Sequence, residues 1–394
     1  MNAQGTTLLG AIAGDIIGSL YEHQPIKTTW FPLWGFGCGI TDDTVLTIAV
    51  ADALLNGRDY VETFRNYCRR FPNSGYGGSF HRWARSHDPE PYGSWGNGSA
   101  MRVSPVGWWF HSLEETLAEA ERSAAVTHSH PDGIAGAKAV AACIFLARHG
   151  AGREELRAFI EDNFYTLPES IDAIRPHYSF DVSCPGTVPP AILCALEAPD
   201  VETAIRLAVS LGGDSDTLAC IAGSIAEALK GCPTELAERA RLYLPNSFSE
   251  VLTAFQPRFA GDSCRLNPAY LKTVFRVEAP PEEWPQIFAV ITAHNPDGAT
   301  APAEQNTNAD ALLLERVRKI GCSHWRVTGC SPDFSHAEPG LVIGTDLQTA
   351  ISLGRDFHQE GIYAVRNGQL FLVNCDCGGE IPIGSWKKRL KRGG

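Results

Sequence analysis

The chain has 394 residues, 44% hydrophobic and 20% charged, which is enough for a large core and long enough to expect a second domain. A formal net charge of −12 excludes a general affinity for nucleic acid or anionic membrane while leaving room for a local basic patch. The apolar run over residues 8–20 is short, glycine-rich and broken by Asp15, so neither a signal peptide nor a membrane span is expected and the protein reads as cytoplasmic. Twelve cysteines in such a chain read as reduced, buried small hydrophobes.

Residues 7–22 read as a first helix whose small residues allow close packing. Asp15 and Glu22, seven apart, fall on one face of it. Asp15, in an apolar stretch, needs a polar partner and reads as structural. Glu22 stands at the helix end, before an aromatic and glycine-rich stretch, 30–39, that reads either as cover for a ligand or as loop packing. Thr41-Asp42-Asp43-Thr44 then precedes an apolar run of helical period that stops at Asn56-Gly57. One Asp would satisfy a helix cap. Two adjacent carboxylates repel each other unless a cation lies between them, and hard divalent cations favour oxygen ligands.

Helices are expected at 60–71, where Tyr60, Phe64, Tyr67 and Phe71 form a core stripe, and at 79–84. Residues 89–98 hold too much proline and glycine for regular structure, and Gly93, Ser94, Gly96, Asn97 and Gly98 can turn backbone N–H groups toward an anion. His128 falls at a turn between helices, where a lone histidine is ordinarily a packed or surface residue. Helical patterns follow at 133–149, 153–163, 188–197 and 200–211. Gly212-Gly213-Asp214-Ser215-Asp216-Thr217 then repeats the earlier grammar of Asp, Asp and Thr at the start of an apolar helix, 218–229. The two glycines permit close backbone approach. Four carboxylates from two helix starts suffice to hold two Mg²⁺-like ions, an arrangement that orients and polarises oxygen substrates.

No convincing strand occurs between 7 and 256, so the N-terminal domain, residues 1–276, is expected to be all-α with many helices. After a linker at 278–281, residues 284–394 read as a small α+β domain. Its strands are expected at 288–293, 325–328, 340–343, 362–365 and 369–373, the last two joined by the hairpin signal Asn367-Gly368, and its helices at 303–320 and 347–359. Cys322, Cys330, Cys375 and Cys377 could be offered as a zinc site, but Cys-Asp-Cys lacks the usual spacer. The basic run 387–392 reads as a solvated terminus, with an acidic partner or nucleic acid as the alternative.

Over residues 7–265 the chain resembles the ADP-ribosylglycohydrolase family. The resemblance rests on Gly10 to Glu22, on Thr41 to Thr44, on Gly93 to Arg102, on Thr127-His128-Ser129, and on Gly212 to Thr217. It implies a multi-helix hydrolase that releases ADP-ribose by cleaving the glycosidic bond at the anomeric carbon. It further implies two Mg²⁺ ions held by Thr41, Asp42, Asp43, Asp214, Asp216 and Thr217. Glu22 would be the catalytic glutamate, with Asp214 the other candidate base. The 93–98 stretch would meet the diphosphate, with Trp95 stacking on adenine and His128 contacting ribose or phosphate. The implied partner is an ADP-ribose conjugate, first an ADP-ribosylated protein, with nucleic acid or a small molecule as alternatives and no membrane. A catalytically silent binding member is the competing expectation, and retention of all six ligands and Glu22 stands against it. Stretches 292–296 and 338–340 of the C-terminal domain resemble a bacterial domain family of unknown function.

Overall fold

The computed structural model describes residues 7–255, 266–376 and 378–391. It divides after Ala260 into two units, with the short segment His111–Leu113 grouped with the second.

The first unit is helical, and its arrangement starts from three glycines. Gly10, Gly14 and Gly18 recur every four residues along the helix Leu9–Gly18 and so share one face. A Cβ on them would lie 2.4, 2.1 and 2.4 Å from the carbonyl oxygens of Gly223, Ala219 and Ser215, all on the helix Ser215–Lys230. The two helices therefore meet backbone to backbone, which only hydrogen side chains allow. Glu227, buried on the second helix, accepts the Gly10 N–H at 3.0 Å and so satisfies the start of the first.

The first helix ends at Gly18, four residues short of expectation, with the Ser19 hydroxyl bonding the Ile16 carbonyl. Glu22 thus stands in the turn beyond it, and the helical-face argument joining Asp15 to Glu22 does not apply. Asp42–Asn56 is the helix expected after Thr41, capped by the Thr41 hydroxyl and ended by Gly57 in the left-handed conformation. The helix expected at 188 begins earlier, at Cys184–Glu197, with Pro189 and Pro190 inside it. Proline has no N–H, so the Gly186 carbonyl loses its helical partner, and the Tyr178 hydroxyl donates to it at 3.0 Å instead. Helices Ser104–Trp109, Leu113–Ala125, Thr234–Arg241 and Asn246–Ala254 were not anticipated. Among the described residues no helix is long and apolar enough to cross a membrane.

The second unit is an eight-stranded sheet with the helices Ala303–Ile320 and Leu347–Asp356 on one face, of the α+β kind. Its strands are β1 Val274–Val277, β2 Ile287–Thr292, β3 His324–Cys330, β4 Ala337–Ile343, β5 Gly361–Arg366, β6 Gln369–Asn374, β7 Glu380–Ser385 and β8 Leu390–Lys391, in the order 7-6-5-2-4-3-1-8. Neighbours are antiparallel except β1 and β8. Alternation along β2 sends Ala289 and Ile291 into the core with Leu313 and Val317 of the helix Ala303–Ile320, and Phe288 and Val290 into an aromatic cluster with Phe275 and Trp386. Asn367 and Gly368 have φ of 50° and 79°, the backbone required by the expected two-residue hairpin. Because β1 pairs with β3, residues 274–277 belong to this sheet, and the expected boundary at 276–284 falls inside the second unit. The basic run is not a loose tail up to Lys391, since β8 pairs with β1 and Arg389 donates to the Thr273 and Ile383 carbonyls. Cys322, Cys330 and Cys375 are free thiols, and Cys377 lies outside the described residues.

Candidate functional site

The first helix, the turn after it and two later helix starts carry six carboxyl side chains, five of which meet in two groups. At Asp42–Asn56 the cap is supplied by Thr41, whose hydroxyl accepts the Asp43 N–H at 3.2 Å. Asp15, reaching from the neighbouring helix, accepts the Thr41 N–H and Thr44 N–H at 3.0 Å each and the Thr41 hydroxyl at 2.6 Å. Asp15 thus does structural work, as its apolar setting implied. Asp42 and Asp43 are then left over from capping. Asp43 is buried with its Oδ1 lacking any partner, while its Oδ2 receives the Thr41 and Thr217 hydroxyls at 3.4 Å each.

The second helix start behaves likewise. Asp214 stands at the N-cap of Ser215–Lys230 but makes no capping bond with its side chain. Instead its Oδ2 accepts from Asn97 Nδ2 at 2.7 Å, and the same amide donates to Thr187. Asp216 accepts the adjacent Thr217 N–H at 3.0 Å, and its carboxyl is hydrogen-bonded to that of Asp214. Capping therefore does not account for Asp43, which accepts from hydroxyls, or for Asp214, which accepts from the Asn97 amide.

Two groups of three carboxylates result. Asp15, Asp43 and Asp216 can each present an oxygen within 4.8 Å of the others, and so can Glu22, Asp214 and Asp216. Asp216 belongs to both, while Asp42 belongs to neither and borders the turn at Gly75, whose Cβ would lie 3.5 Å from Asp42 Oδ1. Burial and mutual repulsion push these acids up: Asp42 to about 8, and Asp43 and Asp216 well above the ordinary carboxylate range. Glu22 is raised by partial burial, opposed by nearby His23 and reinforced by Asp214 and Asp15. Oxygen donors, unpartnered buried Asp43 Oδ1 and so many like charges fit divalent hard cations, whose charge would let these groups ionise together.

Beside the acids lies the 92–98 stretch, which departs from expectation in part. Three N–H groups expected to face an anion are already occupied: Ser94 donates to Thr127 O, Gly96 to Ser94 Oγ and Asn97 to Val182 O. The Asn97 side chain orients Asp214, which makes it a support for the acids. Gly93 has a φ of 65° and open space where a Cβ would be, and Trp95 is 50% exposed. His128 is buried against Gly98, where a Cβ would lie 3.1 Å from its Nε2. Burial and the Arg102 charge hold its pKa well below the usual value, so it is a neutral ring. Fully buried Arg102 donates to Thr127 Oγ1 at 2.9 Å, and that hydroxyl lies 2.7 Å from His128 Nδ1.

Sequence reasoning passed over two neighbouring segments. Residues 178–183 pair with the 92–98 stretch through an antiparallel bridge between Gly96 and Ser183, and carry Phe180 and Val182, 54% and 44% exposed. Two exposed apolar residues in a stretch with no helical period were the available signal. The turn at Gly75 also ends at the start of the helix Gly78–Arg85, so a second glycine-rich stretch faces the acids from the Asp42 side.

The ADP-ribosylglycohydrolase family profile matches residues 3–253, and that of a protein family of unknown function (DUF3293) matches 291–362. "ADP-ribosylhydrolase ARH3" of Danio rerio is 27% identical over 57% of this chain and 81% of its own, and the Homo sapiens protein of that name is 27% identical over 57% and 84%. "ADP-ribosylarginine hydrolase Tri1" of Pseudomonas putida is 26% identical over 59% of this chain and 72% of its own. A solved structure titled "ADP-ribosylglycohydrolase-related protein complex" is 26% identical, covers 64% of this chain and 95% of its own, and superposes with a TM-score of 0.50. With the family profile spanning most of the chain and the paired acidic helix starts inside it, this protein belongs to the ADP-ribosylglycohydrolase family.

Proposed function

We propose that the chain hydrolyses the glycosidic bond between ADP-ribose and an ADP-ribosylated protein, with two Mg²⁺ ions as cofactors. The observation that carries this reading is that two three-carboxylate groups share Asp216, which gives two adjacent cation positions joined by a common ligand. Asp43, Asp216 and the Thr41 and Thr217 hydroxyls would serve one position, and Glu22, Asp214 and Asp216 the other, with Asp42 on the rim. Mg²⁺ ions bound there would fix the ribose hydroxyls and lower the pKa of an attacking water.

The chain's own residues supply the rest. Cleavage at the anomeric carbon passes through oxocarbenium-like positive charge, and a pocket of carboxylates stabilises that charge. Glu22 is partly exposed, and partial burial with the Asp214 and Asp15 charges raises its pKa above the usual value, which suits proton transfer at the leaving group or the water. Asp214 is the alternative base, and the Asn97 amide fixes which of its oxygens faces the substrate. The half-exposed Trp95 offers a flat surface for adenine, and neutral His128 offers a hydrogen bond without adding positive charge.

The relatives' names support a conjugate of ADP-ribose as substrate, and one of them names an arginine conjugate. The test is product analysis by NMR after incubation with proteins ADP-ribosylated on arginine or on serine, ADP-ribosylated nucleic acid, and small ADP-ribosyl conjugates. Free ADP-ribose released from a protein substrate is expected. Tight ADP-ribose binding with no release from any of the four classes would replace this reading with a silent binding role.

A further inference from the structure

Lys27 lies between Glu22 and Thr41, and its Nζ donates to three main-chain carbonyls: Arg175 O at 2.8 Å, Tyr178 O at 2.6 Å and Leu211 O at 2.5 Å. An ammonium has three N–H donors and no acceptor, so this set uses all it can give. Two of the carbonyls lie at helix C-terminal ends. Arg175 closes Ile171–Ile174, and Leu211 follows Val201–Val209 by two residues. Carbonyls at such ends lack helical partners and carry partial negative charge.

The neighbourhood is built around this contact. Gly212 has a φ of 63°, and a Cβ there would lie 2.9 Å from Ile26 O and 3.3 Å from Lys27 Cε. A Cβ at Gly213 would meet the Tyr178 ring at 2.4 Å. The stretch 25–27 therefore rests on Gly212, and Tyr178, whose carbonyl Lys27 holds, rests on Gly213. Arg206 holds the same stretch farther along, donating to Thr29 O and Phe31 O. Glu22 and Asp214, one on each of these abutting segments, come within 4.8 Å of each other.

We infer that Lys27 is a positioning residue whose ammonium fills a cation site made of three carbonyls and so locks the Glu22 segment onto the Gly212-Gly213-Asp214 turn. The clamp stands on these hydrogen bonds alone, while its consequence for turnover rests on the proposed hydrolase function. Three carbonyls converging on one point suit a compact ammonium better than the flat fork of a guanidinium. A small primary ammonium ion should therefore replace the side chain once it is removed.

The test uses the full chain as Lys27→Ala, Lys27→Met and Lys27→Arg, followed by hydrogen-exchange mass spectrometry and by steady-state kinetics. Lys27→Met keeps most of the stem and removes the donors, which separates hydrogen bonding from packing. Exchange is expected to rise together over 21–31 and 208–214 in Lys27→Ala and Lys27→Met. Methylammonium should return both segments of Lys27→Ala to wild-type rates, whereas tetramethylammonium, which has no N–H, should not. On a small ADP-ribosyl substrate, kcat of Lys27→Ala should fall roughly 10–100-fold with KM little changed, the scale of a small misplacement of reacting groups, and recover with methylammonium. Lys27→Arg should stay impaired. Unchanged exchange over 208–214, equal effects of the two amines, or wild-type behaviour of Lys27→Arg would each overturn the inference. A wild-type protein inactive on every ADP-ribosyl substrate would remove the hydrolase reading, and the exchange experiment would still decide the clamp.

Discussion

Asp43 and Asp216 show most plainly what individual residues contribute, because each is buried and neither has enough hydrogen-bond donors to justify a charge. Asp216→Ala removes the carboxylate common to both groups, so Mg²⁺ affinity should fall by more than about 100-fold, beyond the loss typical of an outer-shell partner, with circular dichroism unchanged. Asn97→Ala should cost roughly 10–100-fold in Mg²⁺ affinity, since it only orients Asp214. Calorimetric titration checks both, and equal losses would remove the distinction between ligand and support. Glu22→Gln preserves shape, so ADP-ribose binding should survive while kcat drops by roughly 10²–10⁴-fold, the usual share of a proton-transfer group. Turnover at the wild-type rate would exclude Glu22 from the chemistry. The raised pKa values also set a pH dependence. A carboxyl whose folded pKa lies above its unfolded value binds more protons when folded, so its contribution to stability is present below the unfolded pKa and lost as pH rises through the folded one. With Asp42 raised from 3.8 to about 8, metal-free protein should lose this contribution across that window. Mg²⁺ favours the ionised form, so the increase in melting temperature on adding it should be larger at pH 8 than at pH 5. A shift independent of pH would contradict the site.

At the scale of elements, glycines and borrowed caps decide the geometry. Gly14→Ala would place a methyl 2.1 Å from the Ala219 carbonyl, a backbone atom that cannot step aside. The expected loss is about 3 kcal/mol or more, at the upper end for overpacking, and denaturant unfolding would measure it. Loss below about 0.5 kcal/mol, the range of an innocuous surface change, would mean the two helices are not in backbone contact. The acidic helix starts were legible in sequence because adjacent carboxylates at a cap are unusual and the same grammar occurs twice. Asp15 could be read as needing a partner, but not as bonding the start of the next helix, because that depends on which segment the fold sets beside it. Glu22 was identified by resemblance, while its position beyond the helix end followed from Ser19 and Gly18 and was misread. The anion cradle loses the Ser94, Gly96 and Asn97 N–H groups because glycine content reports backbone freedom, not which N–H groups the fold has already bonded. β1, β7 and β8 were missed for a different reason. They are short or carry Pro382 and Gly384, and edge strands tolerate such residues where central ones do not.

At the scale of the whole molecule, every residue assigned to the proposed site lies before Phe255, and all eight strands lie beyond it. A chain ended after Phe255 should therefore remain helical, bind Mg²⁺ and cleave a small ADP-ribosyl substrate at a rate within about threefold of the full protein, since unconnected sites contribute nearly independently. Metal-loaded but inactive truncated protein would mean that the sheet unit completes the active site. The sheet unit has its own two-sided core and hairpin, a pattern that could be read from alternation alone, and the family it matches is one of unknown function. The central claim is that carboxylates from two helix starts hold the divalent ions on which ADP-ribose release depends. It is tested most directly by titrating Mg²⁺ into chelator-stripped full-length protein while following ADP-ribose release from an ADP-ribosylated protein, with Asp216→Ala alongside. The account predicts no release before Mg²⁺ is added, saturable recovery of the wild type, and no recovery of Asp216→Ala at the same concentrations. Full activity of the stripped protein, or an Asp216→Ala curve that overlays the wild type, would contradict it.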